Sequence, residues 1–232
     1  MIPLHDDNPT RIVPIITMLL IVACCFTFFW QLTLGPEVHR AIYGLGLIPV
    51  VFLNLDQLPD GLALVPPWAT VFTSMFLHGG WMHLIGNMLY LWIFGNNVED
   101  VMGHKRFVLF YVLCGMAAAA GQTLPNPQSN IPMIGASGAI SGVLGAYLLL
   151  FPHARILVAI PLGFVVHTTR VAAGWVLACW FLLQLINSYF AGLQEGGVAW
   201  GAHIGGFIAG MLLIPLFKYK NVRFFAPPRS YY

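Results

Sequence analysis

The chain has 232 residues, of which 59% are apolar and only 8% charged, and its mean hydropathy is +0.80. Soluble domains carry about 25% charged residues, so ten basic and eight acidic side chains cannot clothe a water-facing surface of this size. The composition excludes a soluble enzyme, a disordered chain and a nucleic-acid binder, and with a net charge of only +2 it points to an integral membrane protein.

The few charges leave charge-free intervals at 12–36, 61–98, 107–154, 171–194 and 196–217. A helix needs about 20 apolar residues to cross the hydrocarbon. The first interval predicts a span over 12–34, with Pro14 in its first turn, where the ring is tolerated. Pro66-Pro67 and Gly79-Gly80 break the second interval and leave a span at 82–98. The third holds two spans, 105–122 and 133–151, because the polar stretch Gln122–Asn130 with its two prolines cannot sit in lipid. The last two give spans at 170–190 and 198–217. The expected fold is all-α, one polytopic domain over 1–232 with six transmembrane helices.

Residues 35–67 fit neither a turn nor a span. Charges flank an apolar middle, Ile42–Leu55, which predicts a long outer loop between spans one and two that lies in the interface or folds back on the bundle. The first apolar run is long and lacks a small-residue cleavage site, so it reads as an anchor rather than a removable leader. Cys24, Cys25, Cys114 and Cys179 sit in apolar stretches without metal-type spacing and read as small hydrophobes.

With six spans, Arg11, Lys105, Arg106, Arg155, Arg170, Lys218, Lys220, Arg223 and Arg229 share one side. Only Arg40 lies on the other, with Glu37, Asp56, Asp60 and Glu195. The positive-inside bias then makes both termini cytoplasmic. The short termini suit a bacterial plasma membrane.

Polar residues inside spans are expensive and are functional candidates by default. Three groups open spans two, four and six: His83-Leu-Ile-Gly-Asn87, Gly135-Ala-Ser-Gly138 and Gly201-Ala-His-Ile-Gly-Gly206. All three spans run inward from the outer face, so Ser137, His203 and the His83/Asn87 pair arrive at one depth, a few residues into their helices. Gly135, Gly138, Gly142 and Gly145 on span four, and Gly201, Gly205, Gly206 and Gly210 on span six, let the two backbones touch. At that approach a neutral His203 can take the Ser137 proton while the oxygen attacks a carbonyl. All eight carboxylates fall in loops or termini, so a Ser–His dyad is expected rather than a triad. His83 and Asn87, four apart on one helical face, are placed to donate to the oxyanion beside the Ser137 N–H. Gly135, Gly138 and Gly206 serve close packing or clear room for a substrate backbone. Neither a His-Glu-x-x-His motif nor a companion carboxylate occurs in a span, and no metal or other cofactor is expected.

Gly80–Met88, Gly135–Gly138 and Ala202–Gly206 together resemble the three signature motifs of the rhomboid intramembrane serine proteases, in the same order and on the same spans. That resemblance implies a six-helix core cleaving transmembrane segments of other membrane proteins, with Ser137 as nucleophile, His203 as base, and His83 and Asn87 on the oxyanion side. Its partners are then membrane-protein substrates and the bilayer. Two positions depart from the pattern: Trp68 precedes Ala69 where many members have Trp-Arg, and Ser141 stands where some have a tyrosine stacked on the histidine. The alternative is a non-catalytic relative that binds transmembrane segments for quality control or trafficking, although such a module needs neither Ser137 nor His203. On span five, Trp175, Trp180 and Phe181 read as lipid contact or core, with a lateral substrate gate at Trp175 and Phe181 as the further possibility.

Overall fold

The structure, a computed structural model, describes residues 1–163, 165–191 and 198–225. In chain order it contains strand β1 (Ile2–Asp6), helix α1 (Ile15–Thr33), three short helices α2 (Val38–Leu45), α3 (Pro49–Phe52) and α4 (Thr70–Thr73), then α5 (Trp81–Tyr90) and α6 (Asn96–Met102). Helices α7 (His104–Thr123) and α8 (Ser137–Leu150), strands β2 (Arg155–Leu162) and β3 (Val165–Ala172), and helices α9 (Ala173–Ala191) and α10 (Trp200–Phe217) complete it. Among the described residues four helices, α1, α7, α9 and α10, are long and apolar enough to cross a membrane. The apolar α8 is shorter. Helices α5 and α6 run on through a π-helical turn at Leu91–Gly95, so the helix predicted at 82–98 extends over 81–102.

The architecture is predominantly helical but not all-α. Strands β1, β2 and β3 form a three-stranded antiparallel sheet in that order. Arg155 pairs with Ala172 and Leu162 with Val165 across a hairpin that turns at Gly163, where φ is +64°. The reason is local. Ile156, Val158, Ile160, Val165, Val166, Thr168, Thr169 and Val171 supply the β-branched side chains that favour strands. Ile156 and Val158 join the helical core, and β1 covers the far edge of β2.

The carboxylates are also not confined to loops. Glu99 and Asp100 lie in α6 and are buried. Glu99 accepts hydrogen bonds from the backbone N–H groups of Ile16 (2.9 Å) and Thr17 (2.8 Å) and from the Thr17 hydroxyl (2.7 Å). Asp100 accepts from the N–H groups of Arg11 and Ile12. The start of α1 has no side-chain cap of its own, so the orphan donors of its first turn, which attract negative charge, are satisfied by another helix. Contacts among Arg11, Asp100, Arg106, Phe217 and Tyr219, together with the Arg170–Asp7 ion pair, gather the basic segments at one end of the bundle. Arg229 and Glu195 lie outside the described residues.

Three helices form the tightest part of the bundle. A Cβ at Gly206 or Gly210 of α10 would fall on the carbonyls of Gly138 and Gly142 in α8. A Cβ at Gly201 would meet the Gly121 carbonyl of α7 at 2.5 Å. Helix α10 therefore lies backbone to backbone against both neighbours, the close approach that small residues permit in membranes.

Candidate active site

The site forms at the end of the bundle away from the basic segments. Ser137 is the first residue of α8, not several residues inside it, and Ala136 is the residue before the helix. The extended segment leading to it is held by backbone pairing of Met133 with Leu47 (3.0 and 2.7 Å) and by the Gly135 N–H on the Ser74 carbonyl (2.8 Å). The long segment between α1 and α5 thus positions the start of α8. Gly135 has φ +117°, a conformation open to glycine, and a Cβ there would come 2.6 Å from His83 Nε2. No side-chain hydrogen bond caps the α8 N-terminus, where first-turn N–H groups have no partner within the helix.

His203 is the fourth residue of α10. Its Nε2 lies 2.8 Å from Ser137 Oγ, joining residues 66 apart in sequence. The glycine contacts of α10 on α8 begin one residue past Ser137 and bring the two helices close enough for that contact. The second ring nitrogen, Nδ1, lies 2.8 Å from Gln184 Oε1 on α9. Gln184 and His203 are both buried, at 6% and 8% exposure. The imidazole also faces the Trp180 ring, 5.8 Å away and tilted by 37°, and meets the Trp200 ring edge-on at 6.0 Å. Ser141 makes no contact of this kind; its hydroxyl donates to the Ser137 carbonyl at 2.7 Å. Trp180, not the residue at 141, supplies an aromatic contact on the imidazole.

His83 and Asn87 sit on α5, one turn apart. His83 Nδ1 accepts the Gly79 N–H (3.2 Å), which turns Nε2 toward Gly135, two residues before Ser137. The Asn87 amide donates to the His83 carbonyl at 2.9 Å. Among the described residues neither side chain hydrogen-bonds Ser137 or His203 directly. The loop ahead of α5 is fixed by a reciprocal pair from α1: Gln31 Nε2 donates to the His78 carbonyl and the His78 N–H to Gln31 Oε1. Met75, Gly115, Ala118, Met133 and Ala139 line a narrow recess beside Ser137. No group of three potential metal ligands occurs among the described residues.

Sequence reasoning missed Gln31 and Gln184. Both are polar residues within apolar helices, the signal applied to the histidines and not to the glutamines. It also grouped the aromatic residues of α9 together, whereas the structure divides them. Trp175 is 72% exposed, while Phe181 stacks on Phe207 of α10 at 4.3 Å.

The sequence comparisons fit this geometry. The Rhomboid domain profile matches residues 66–220. The chain belongs to the rhomboid family. It is 29% identical over 167 residues to RHOMBOID-like protein 5 of Arabidopsis thaliana, covering 67% of this chain and 48% of that one. It is 29% identical over 187 residues to the mitochondrial Rhomboid protein 1 of Saccharomyces cerevisiae, covering 75% and 49%. A shorter match, 41% over 81 residues, is to Rhomboid protease GluP of Bacillus subtilis, covering 35% of this chain and 15% of GluP. This rhomboid spans about half the length of the first two relatives. Its family and its apolar helices make it an integral membrane protein.

Proposed function

We propose that this rhomboid is an intramembrane serine endopeptidase working through a Ser137–His203 dyad. The observation that carries the reading is the 2.8 Å contact between Ser137 Oγ and His203 Nε2 at the tightly packed junction of α8 and α10. The Ser137 hydroxyl gives its proton to Nε2 as its oxygen attacks a peptide carbonyl. His203 then passes that proton to the departing amine, leaving an acyl-enzyme that water hydrolyses by the same route. First-turn N–H groups of α8 take up the charge on the carbonyl oxygen, joined by donors from His83 and Asn87 once substrate is bound. The recess beside Ser137, walled by glycine, alanine and methionine, suits a small apolar side chain at the cleaved bond.

The substrate is a transmembrane segment of another protein, unwound near the outer boundary so that its carbonyls are released from helical hydrogen bonds. Six crossings fit the chain, with α5 and α6 together forming the second and α8 the fourth. The basic end then faces the cytoplasm with both termini, and the dyad lies beneath the outer leaflet.

The test is labelling by a fluorophosphonate probe in detergent and in vesicles. The unaltered chain is expected to label, and Ser137→Ala and His203→Ala are not. Labelling that survives in Ser137→Ala removes the nucleophile. A chain that binds transmembrane segments yet never labels is a binding protein.

A further inference from the structure

We infer that Gln184 is a positioning residue for the base, fixing the tautomer in which His203 can accept the Ser137 proton. The inference rests on the dyad reading above and follows from a chain of proton assignments that begins at a backbone carbonyl. Gln184 Nε2 lies 3.0 Å from the Trp180 carbonyl. A carbonyl only accepts, so the amide must turn its NH2 group there and its Oε1 toward His203. Oε1 also only accepts, so the 2.8 Å contact with His203 Nδ1 requires a proton on Nδ1. A neutral imidazole carries one N–H, which leaves Nε2 with its lone pair directed at Ser137 Oγ. Turning the amide over would set Oε1 against the Trp180 carbonyl, and moving the ring proton to Nε2 would set a bare Nδ1 against Oε1, two acceptors face to face in either case.

Trp180 and Gln184 are one turn apart on α9, so a single stretch of helix places an aromatic ring against the imidazole and an acceptor on its outer nitrogen. Gln184 stands where an acidic orienting residue would stand in a triad. Being neutral, it directs the ring and stabilises the imidazolium by its dipole alone, with no buried charge to compensate. Ser137 and His203 belong to helices locked by glycine contacts, whereas Gln184 belongs to a different helix. The proton acceptor of the reaction is therefore set by α9. Among the described residues, the ionisable group acting on His203 electrostatically is His83 of α5, and it is unchanged in every variant proposed here.

The experiment has two independent arms on the full chain. The first selectively labels histidines with nitrogen-15 and assigns the His203 ring resonances by their loss in His203→Ala. At neutral pH the unaltered chain is expected to show the proton on Nδ1. A proton on Nε2, or fast exchange between the nitrogens, overturns the inference without the need for any Gln184 variant.

The second arm follows the rate of fluorophosphonate labelling against pH. Gln184→Met, close in size but unable to accept, is expected to lower the rate by about ten- to a hundredfold at every pH, with the thermal midpoint little changed. Gln184→Glu is expected to keep most of the rate and to move the acid limb up by about one pH unit, because a carboxylate stabilises the imidazolium. If Gln184 only fills space, Met is tolerated and the buried charge of Glu does the greater harm, with the acid limb unmoved; that ranking overturns the inference. Labelling retained in Ser137→Ala defeats the dyad itself, a result separable from both arms.

Discussion

His203 stands between two helices that hold α10 in opposite ways. On one side α8 meets α10 backbone to backbone, with Gly206 and Gly210 lying against the carbonyls of Gly138 and Gly142. On the other, α9 reaches α10 through side chains: Gln184 to His203, and Trp180 and Phe181 to Phe207. The first wall has no slack, because a backbone carbonyl cannot rotate aside. The second is built of rotatable groups on a helix that exposes Trp175, Leu182, Leu183 and Tyr189. The approach of Ser137 to His203 thus belongs to the rigid wall, and the orientation of the imidazole to the adaptable one.

The largest effect expected from breaking this contrast is on the rigid side. In Gly210→Ala the new methyl group meets the Gly142 carbonyl and lies 2.6 Å from its Cα, atoms that move only if the helices part. Overpacking of this kind costs roughly 3 kcal/mol, and parting α8 from α10 also breaks the Ser137–His203 contact. Thermal unfolding in detergent should shift down sharply, and labelling of the folded fraction should fall with it. A variant that labels at the original rate would mean that the dyad distance is set elsewhere.

Much of the rigid wall was legible in the sequence, and little of the adaptable one. Glycines at positions 138, 142, 206 and 210 announce close packing, since little else places so many small residues on one face in lipid. Ser137 and His203 open their spans at the same side and depth, and that coincidence together with the glycine spacing predicted their meeting. Gln184 could not be matched to His203 in the same way, because nothing in α9 fixes its rotation against α10 until the side chains are packed. The sheet was hidden for a different reason. The run from Ile156 to Val166 falls between Arg155 and Arg170, where the sequence shows only a connection between two predicted spans, and β-branching with a glycine at 163 is the local sign of a hairpin. Glu99 was hidden because the N–H groups of Ile16 and Thr17 that it accepts from are main-chain groups, which leave no trace in sequence, while Thr17 and His104, whose side chains also meet it, belong to no motif.

A smaller effect is expected on the adaptable side. The stacked Phe181–Phe207 pair, with centroids 4.3 Å apart, holds α9 against α10. Such a pair contributes about 0.5–1.5 kcal/mol beyond the area it buries. If substrate enters by displacing α9, Phe181→Ala should raise cleavage of a transmembrane peptide in vesicles by roughly two- to tenfold, the same energy expressed as a rate. Labelling by the small probe, which does not need α9 to move, should stay within a factor of about two. Trp175→Ala is the control, since that ring is exposed and holds nothing closed. Equal cleavage by Phe181→Ala and the unaltered chain would remove α9 as the route of entry.

The smallest effect concerns the far end of the rigid wall, where β1 ties the N-terminus to α8. The Tyr147 hydroxyl of α8 donates to Asp6 Oδ2 at 2.8 Å, and burial pushes the Asp6 carboxyl up to about 6. In the unfolded chain the same group titrates near the usual carboxylate value of about 3.9. Between those values the folded state binds the proton and the unfolded state does not, so the Asp6 contribution to stability is greatest below pH 4 and falls as the pH rises through 6. Above that the loss is complete and the contribution is flat. Thermal midpoints measured at pH 4.5 and pH 7.5 should therefore differ by a few degrees more in the unaltered chain than in Asp6→Asn, which keeps the acceptor and removes the titration. Identical pH slopes in the two proteins would show that Asp6 is not buried as a titrating group. The labelling rate per folded molecule should not change in Asp6→Asn. Asp6 acts on how firmly α8 is held and touches none of the contacts that α9 makes with His203.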